Sequence, residues 1–382
     1  MKIYVIQPNL TTVSETWLYR MNLMLGKRIC GFAVFATEES YFNGIKVFNL
    51  NGRYPNLRER ILIRLKILKY NVDKTMRQEL YNNIKKSGTE VLLIHYANTA
   101  NYLWNVVNKL SIPIYIHVHG HDIIWDCKYE NGQSVHDSNY KADILRIGQK
   151  TNITFIANSE GSFHNLVTIG VKPEKIIKKV FGVDLPLINR DYFKKEMTVL
   201  YLGRFVDFKG PDIVLNAFIN ACDLGFKGQL IMAGDGSLKE ICETIAQKSL
   251  YSDRIHFTGA VNTAKAANLF LEADIYSMHN CKGLVTNGYE MFGVTLIEAL
   301  SYGLPIITST IGGPSEIIDH EVDGLLVSPK NVEAHAQAFM RLFNDRLLCS
   351  TLGNNARNKI KNKYSSEIEK EALFNILQIK DN

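Results

Sequence analysis

The sequence lacks the long hydrophobic run that a membrane-spanning helix needs. Its apolar stretches are short, as at Val91–Ile94 and Leu304–Thr308, whereas a helix that crosses a bilayer takes about 18–20 apolar residues. The first apolar segment is interrupted at Gln7-Pro8-Asn9, so we expect no signal peptide. With 382 residues, of which 46% are hydrophobic, the chain can bury a large core, and neither disorder nor a polytopic membrane protein is expected.

The sequence is also poor in cysteine, and its six cysteines form no C-x-x-C pair. A chain of this size needs no disulfides to stabilise a small core. We therefore predict a protein of a reducing compartment, in the cytoplasm, where it is either free or bound to the inner face of the plasma membrane.

Positive charge is concentrated in the first half of the chain. Residues 1–185 contain 24 Lys and Arg against 15 Asp and Glu, whereas residues 186–382 contain 20 against 23, which together account for the net charge of +6. This excess is typical of a domain with an acidic partner, and equally of a soluble surface rich in lysine. No pattern of alternating aromatic and basic residues is present, so nucleic acid is not expected as a partner.

Strand-like and helix-like segments alternate along both halves, which predicts the α/β class with two doubly wound, parallel-sheet, Rossmann-like domains facing each other across a cleft. The break lies in the polar stretch 184–197. We predict a first domain at 1–186, a second at 187–363, and a C-terminal helix within 364–382 that packs back on the first domain. The predicted strands are 2–6, 31–35, 91–95, 114–117, 154–157, 198–202, 229–233, 254–257, 275–278 and 305–308.

Two glycine-containing turns follow strands early in the second domain. After the strand that ends at Leu202, the turn that begins at Gly203 carries Arg204 and Lys209, a guanidinium fork and a point charge that suit a diphosphate. They could equally be solvated surface cations. The next strand is followed by Gly234-Asp235-Gly236, a turn that is common in α/β proteins.

The segment 288–300 is the most specific of the turns. A helix is predicted to begin near Gly293, which leaves the amides of Phe292–Thr295 free to bind an anion. Glu290 and Glu298 are eight residues apart, or about 12 Å along a helix, so they suit the two ends of a nucleoside diphosphate sugar. The alternative is an N-terminal charge and an ordinary helical glutamate.

A further turn contains Gly312-Gly313, which we expect to let the backbone approach a ligand closely, and Glu316 follows it. In order and spacing, the turns resemble the retaining glycosyltransferases of the GT-B fold, in the family called glycosyl transferases group 1. The resemblance covers about residues 180–330 closely. The matching segments are Gly203-Arg204…Lys209-Gly210, Gly234-Asp235-Gly236, Phe257-Thr258-Gly259, Glu290…Glu298 and Gly312-Gly313…Glu316.

The resemblance implies a role for each matching residue. Arg204 and Lys209, in the turn that begins at Gly203, would bind the donor diphosphate. Glu290 would bind the sugar hydroxyls and Glu298 the ribose. The remaining predicted donor contacts are the backbone at Val261, along the base, and the first residues of the helix, Phe292, Gly293, Val294 and Thr295. Met291 and Met278-His279-Asn280 depart from the common family pattern beside the sugar pocket.

In the first half, the strand 114–117 leads into His119-Gly120-His121-Asp122. Alternating histidines invite a metal interpretation, but we find no second ligand pair with metal spacing in the sequence, and we expect no metal. The resemblance implies that His119 lies near the donor sugar, as a catalytic residue, with Asp122 close to it. The alternative for His119 is a strand-end histidine that is satisfied by packing.

Two further segments of the first half bear on the acceptor. The loop Asn9–Trp17 resembles a subset of the family that builds surface polysaccharides, and acceptor contacts are expected there. Residues 53–86 intersperse basic and apolar residues at helical spacing, which suits an interfacial helix at an anionic membrane. An ordinary packed helix with a solvated face is the alternative.

We therefore predict a retaining hexosyltransferase that moves a sugar from a nucleoside diphosphate donor, with UDP favoured over GDP, to a lipid-linked saccharide acceptor in surface polysaccharide synthesis. No Asp-x-Asp motif is present, so fixed cations and a helix N-terminus would neutralise the leaving group without a metal or other cofactor. The alternatives are an epimerase or phosphorylase of the same fold, and a non-catalytic subunit that binds sugar nucleotides.

Overall fold

The computed structural model describes residues 1–10, 15–36, 41–52, 57–65, 71–124, 128–130, 133–135, 139–284 and 288–379. Within them the chain forms two large sheets and one two-stranded sheet, and helices connect most of the successive parallel strands. The predicted α/β class with two Rossmann-like sheets is confirmed. The domain boundaries near residues 186 and 363 stay predictions.

The first sheet is built from strands that are rich in Val, Ile and Leu and mostly buried, as expected when helices cover both faces of a parallel sheet. Its strands are β1 (Ile3–Asn9), β2 (Ile29–Ala36), β3 (Tyr41–Phe42), β4 (Ile45–Asn49), β5 (Val91–His95), β6 (Ile114–Val118), β9 (Ile153–Ala157) and β10 (Ile176–Lys178), while β7 (Lys128–Glu130) and β8 (Gln133–Val135) form a separate hairpin. The strand order is β10-β9-β6-β5-β1-β2-β4-β3, and its pairs are parallel except β3 with β4. The helices of this half are α1 (Thr16–Leu25), α2 (Leu57–Arg64), α3 (Val72–Lys86), α4 (Ala97–Tyr102), α5 (Trp104–Val107), α6 (Tyr140–Gln149) and α7 (Glu160–Ile169).

The second sheet is parallel, with the order β13-β12-β11-β14-β15-β16. Its strands are β11 (Met197–Leu202), β12 (Gly228–Ala233), β13 (Ile255–Gly259), β14 (Ile275–Ser277), β15 (Ile306–Ser309) and β16 (Gly324–Val327). The helices are α8 (Pro211–Asp223), α9 (Lys239–Lys248), α10 (Thr263–Glu272), α11 (Val294–Ser301), α12 (Pro314–Ile317), α13 (Val332–Asn344), α14 (Arg346–Lys363) and α15 (Ser366–Ile376).

The strand orders locate the sites where ligands of such sheets bind. In each sheet the chain first adds strands on one side of its first strand and then crosses to the other side, between β1 and β5 and between β11 and β14. Open α/β sheets bind ligands beyond the carboxyl ends of the strands at this reversal. The turns after β5 and β11 are therefore in position to form sites.

The last helix, α15, contacts the first half of the chain. Glu369 forms a buried ion pair with Lys179 and accepts a hydrogen bond from the amide of Gly182 at 2.8 Å. The Arg28 guanidinium lies 4.7 Å from the centre of the Phe374 ring. These contacts fasten the C-terminal helix to the first half. Within the described residues, no helix is long and apolar enough to span a bilayer.

Candidate active site

The turn after β11 places two cations at the reversal point of the second sheet. Arg204 is exposed, and its guanidinium lies 5.5 Å from the centre of the Phe208 ring. The side chain of Lys209 is largely buried, with 12% exposure, and the residue ends the turn just before α8. Burial, and then the nearby Arg204 guanidinium, lower the pKa of Lys209 to about 7, whereas its contact with the Glu290 carboxylate favours the charged form. The turn thus presents one exposed and one buried cation.

The glycine-rich turn after β12 supports the first turn. A Cβ at Gly234 would lie 1.9 Å from the carbonyl oxygen of Gly203, and the amide of Gly203 donates to the carbonyl of Ala233 at 3.0 Å. Gly234 also has φ of +136°, which favours glycine. This turn therefore brings the backbone of the first turn close to β12.

The N-terminus of α11 lies beside these cations. Gly293, with φ of +98°, precedes the first residue of the helix, Val294. The amides at the start of a helix have no acceptor within it and carry partial positive charge. Glu290 lies before this helix and forms an ion pair with Lys209. The side-chain ammonium, the carboxylate and the helix N-terminus thus converge on one site.

Gly312 and Gly313 closely approach protein backbone, and the expectation that they also let the backbone approach a ligand stays a prediction. A Cβ at Gly312 would lie 2.2 Å from the carbonyl oxygen of Glu290, and one at Gly313 would lie 2.4 Å from the Cα of Phe292. The amide of Gly313 donates to that same Glu290 carbonyl at 2.8 Å. The two glycines therefore hold the segment that carries Glu290 in place.

Glu298, one and a half turns into α11, faces the first half of the chain. Its carboxylate accepts from Arg20 Nη1 at 3.3 Å, and Arg20 lies on α1. Burial raises the pKa of Glu298, and Arg20 opposes this rise. Val261, the residue predicted to lie along a base, follows β13 and is buried. Phe292 and Thr295 flank Gly293 and Val294 at the helix N-terminus, as predicted from the sequence.

On the opposite side of the cleft, the turn after β6 presents His119. Asp122 is fully buried, and its carboxylate accepts from the amide of His119 at 2.8 Å and from the amide of Ala97 at 2.6 Å. Burial raises the pKa of Asp122 to about 6, against these hydrogen bonds. Asp122 therefore holds the turn that positions His119, and a direct contact with a donor stays a prediction.

His119 belongs to a cluster that the sequence analysis missed. His95 on β5 is in register with His117 on β6, and His119 follows His117 by two residues, on the same face. Nδ1 of His95 lies 3.3 Å from Nε2 of His119. The Trp17 ring lies 4.1 Å from the His119 ring, centre to centre. Only the pairing of β5 with β6 brings the three histidines together, so spacing along the chain could not indicate this cluster.

The three imidazoles are close enough to share one metal ion, because one ring nitrogen from each lies within 4.8 Å of the others. Burial lowers the pKa of each, and the positive charge of Lys179 contributes in all three. The rings are thus neutral. The charge of Lys179 is itself compensated by the buried ion pair with Glu369.

The two sides of the cleft contact each other directly. A Cβ at Gly120 would lie 2.0 Å from Cγ of Met291, which is buried. Glu316 accepts from the amides of Glu160 and Gly161 at 2.8 and 2.9 Å, at the N-terminus of α7. Methionine therefore fits position 291 because it fills the space above a glycine of the opposite side.

A row of aromatic rings connects the predicted residues of the two sides. The Phe181 ring lies 5.9 Å from that of His119 and 5.3 Å from that of Phe292, centre to centre. The Tyr96 ring lies 4.5 Å from that of His119, and the charge of Arg204 is near enough to influence the pKa of Tyr96. Of the predicted residues, His119 of the first half therefore lies close to Phe292 and Arg204 of the second.

Two Rossmann-like sheets with an anion site at the reversal of the second define a class of enzymes that use nucleotide-linked substrates. Residues 189–359 match the family model for glycosyl transferases group 1. The predicted resemblance to this family of GT-B glycosyltransferases is confirmed.

Known proteins resemble the chain over different lengths. It is 26% identical to N-acetyl-alpha-D-glucosaminyl L-malate synthase of Bacillus anthracis, over 84% of this chain and 83% of that protein. It is 30% identical to an uncharacterised glycosyltransferase of Methanocaldococcus jannaschii, over 48% of this chain and 45% of that protein. The crystal structure of Anabaena HepE in complex with UDP has the same fold, with a TM-score of 0.77 and 17% identity over 99% of this chain and 100% of that one.

Proposed function

We propose that the protein transfers a hexose, with retention of configuration, from a UDP-sugar to a saccharide acceptor, lipid-linked, in the synthesis of a surface polysaccharide. The observation that carries this proposal is the contact between Lys209 and Glu290 beside the N-terminus of α11. A cation for a diphosphate and a carboxylate for sugar hydroxyls thus lie in contact. The UDP bound by HepE supports the choice of nucleotide.

In this proposal the second half of the chain binds the donor. Arg204 and Lys209 bind the diphosphate, and the amides of Gly293 and Val294 bind its distal phosphate. Glu290 accepts hydrogen bonds from the sugar hydroxyls when Lys209 turns to the phosphate. These groups are placed before the reaction begins, so they neutralise the charge that develops on the leaving diphosphate.

The remaining donor contacts lie on either side of this centre. Glu298 accepts from the ribose hydroxyls, and the backbone at Val261 lies along the base. His119 faces the sugar from the opposite side of the cleft and donates to a hydroxyl or stabilises positive charge through its carbonyl. Asp122 holds His119 in place.

Retention is proposed because the acceptor proton can pass to the donor's own phosphate. The Asp122 carboxylate is buried and bound to two amides, so it is a poor candidate for a base. The anomeric configuration of the product, read by NMR, tests this step. An inverted product would contradict it.

We propose that the reaction needs no metal. Two fixed cations and a helix N-terminus can supply the charge that a divalent ion supplies in other transferases.

A peripheral membrane location is supported by one helix. In α2 the side chains of Leu62 and Arg64 are exposed, and Leu65 follows them with 61% exposure. The neighbouring α3 instead buries Met76, Leu80 and Ile84 in the core. We therefore assign the membrane contact to α2 alone, which shortens the segment 53–86 predicted from the sequence. Residues 53–56 and 66–70 lie outside the described part.

The decisive experiment combines a binding screen with a variant. Sugar nucleotides are screened by thermal shift, where a ligand at 100 times its Kd stabilises the protein by about 2.7 kcal/mol. Glu290→Gln is expected to abolish turnover while the fold and UDP binding persist. Full activity of this variant would contradict the proposed site.

The same assay separates the alternatives. Release of UDP only when an acceptor is present indicates transfer, whereas conversion of the donor without an acceptor indicates an epimerase. Absence of turnover in the wild-type protein with every donor and acceptor pair would favour a non-catalytic subunit.

A further inference from the structure

Arg20 is a residue of the first half that reaches the predicted donor site of the second half. It lies on α1, and its guanidinium donates in two directions: Nη1 to Glu298 at 3.3 Å and Nη2 to the carbonyl of Gly182 at 3.2 Å. Both side chains of the ion pair are largely buried, with 21% and 23% exposure. The contact therefore exists only while the two halves lie together.

Arg20 opposes the effect of burial on the charge of Glu298. The groups whose charge bears on it are Arg20 from α1, Tyr276 from β14, and Tyr302 just beyond its own helix. Burial raises the pKa of both tyrosines, so they are neutral at physiological pH. On α14, packed against α11, Arg357 donates to the carbonyls of Ser301 and Pro186 and not to a carboxylate. Among the described residues, Arg20 is thus the cation that faces Glu298.

The geometry leaves part of Glu298 available to a ligand. Arg20 contacts Oε1, and a carboxylate has two oxygens with about four acceptor sites. A carboxylate must be ionised to accept from both hydroxyls of a ribose, and a nearby cation favours the ionised form. Holding Glu298 in a fixed direction also lowers the entropy cost of binding.

We propose that Arg20 is a positioning residue for the donor nucleotide: it holds the Glu298 carboxylate toward the ribose and so couples nucleotide binding to contact between the two halves. This inference rests on the proposed function, because it takes Glu298 to bind the ribose. The effect is expected on donor affinity and on its dependence on pH, and much less on the maximal rate.

The test measures binding of UDP by calorimetry between pH 5 and 8, together with donor KM and kcat. Arg20→Met is expected to weaken UDP binding by about tenfold, and to move the acidic limb of the binding profile to higher pH by about one unit. The sign follows because loss of the cation raises the pKa of Glu298, so the carboxylate is protonated at a higher pH. Arg20→Lys is expected to recover part of the affinity.

Two further variants separate positioning from a merely structural role. In a Glu298→Gln background the carboxylate cannot titrate, so Arg20→Met is expected to have less than a twofold further effect on UDP binding. Arg146→Met, which removes an arginine of α6 that pairs with Asp143, is the matched control and should bind as the wild type does.

The inference would be overturned if Arg20→Met weakened UDP binding equally in the wild-type and the Glu298→Gln backgrounds. It would also be overturned if Arg20→Met weakened UDP binding without moving the acidic limb of the binding profile. Either result would leave the proposed function intact. Failure of the wild-type protein to bind either UDP or GDP would instead overturn the proposed function, and the inference with it.

Discussion

The two sides of the cleft are built in different ways. On the second side the chemistry is local: Arg204 and Lys209 lie in one turn, and Glu290 and Glu298 flank the start of one helix. On the first side, His95, His119 and Trp17 come from three separate elements. A local site has a readable pattern along the chain, whereas an assembled site depends on strand pairing. The comparison predicts that residues of the second side contribute most to the rate of the reaction, and that residues of the first side mainly orient the donor sugar.

The sharpest test of this division is the loss of a fixed cation from the second side. Lys209→Met is expected to lower kcat/KM for the donor by about 10²–10³, because one preorganised electrostatic contact to the leaving group is lost. Steady-state kinetics with a varied donor measure the effect. Lys248→Met, at an exposed lysine of the same half, is the control. A change below threefold in Lys209→Met would assign the diphosphate to other groups.

A second test concerns the contact that joins α15 to the first half. In Glu369→Gln the buried Lys179 loses its counter-charge, since the two side chains are only 2% and 0% exposed. Breaking a buried ion pair from one side costs about 3–5 kcal/mol, so the midpoint of denaturant unfolding should fall clearly. Glu321→Gln, which removes an exposed pair with Arg341, should have little effect. Equal stability of the two variants would show that Lys179 finds another partner or loses its proton without cost.

The first side should respond more mildly in catalysis. His119→Ala is expected to lower kcat by about 10–100-fold, because we expect His119 to orient the donor sugar or to stabilise charge. Proton transfer by a general acid or base, which we do not assign to His119, usually contributes about 10²–10⁴-fold. The exposed His164 of α7 supplies the control variant, His164→Ala. A loss as large as that of Lys209→Met would show that the two sides contribute equally.

The charge difference between the halves leads to a smaller expected effect. Liposomes that contain anionic lipid should float with the protein at low salt and release it as salt rises, since each Lys or Arg near the surface contributes about 1 kcal/mol. The double variant Arg58→Gln/Arg64→Gln in α2 should reduce flotation, and Lys227→Gln/Lys248→Gln in the second half should not. If the wild-type protein does not float even at low salt, the membrane contact is wrong.

The smallest effect is expected from removal of metal. Prior dialysis against a chelator should leave the transfer rate within about twofold, because fixed cations of the second side neutralise the leaving group. The test is informative because the three histidines of the first side lie close enough together to bind one metal ion. Loss of activity that Mg²⁺ or Zn²⁺ restores would contradict a metal-independent reaction.

Much of the fold could be predicted because buried parallel strands leave continuous apolar runs. The strands at Val91–His95 and Ile114–Val118 follow that pattern and agree with prediction to within a residue. Six strands of the described residues were not predicted, and two of them show why. Ile45–Asn49 is only partly buried, so its pattern alternates, and Gly324–Val327 is only four residues long and begins with a glycine. Both lack a long apolar signal.

The candidate site was predictable where function depends on residues close in sequence. The ion pair between Lys209 and Glu290 joins two motifs that were each recognised. Its existence as a pair was not predicted, because 81 residues separate its members. The two glycines at 312 and 313 approach the backbone of the segment that carries Glu290, a partner that the sequence does not show, and their approach to a ligand stays a prediction.

The α/β class, the resemblance to the family and the local motifs of the second half follow from the amino-acid sequence, because apolar periodicity and fixed spacing are properties of the chain alone. The folded structure was needed to see that His95 joins His119, that Asp122 holds a turn, and that Arg20 reaches Glu298. The physical reason is that strand register and contact between the two halves bring together side chains that no spacing along the chain relates.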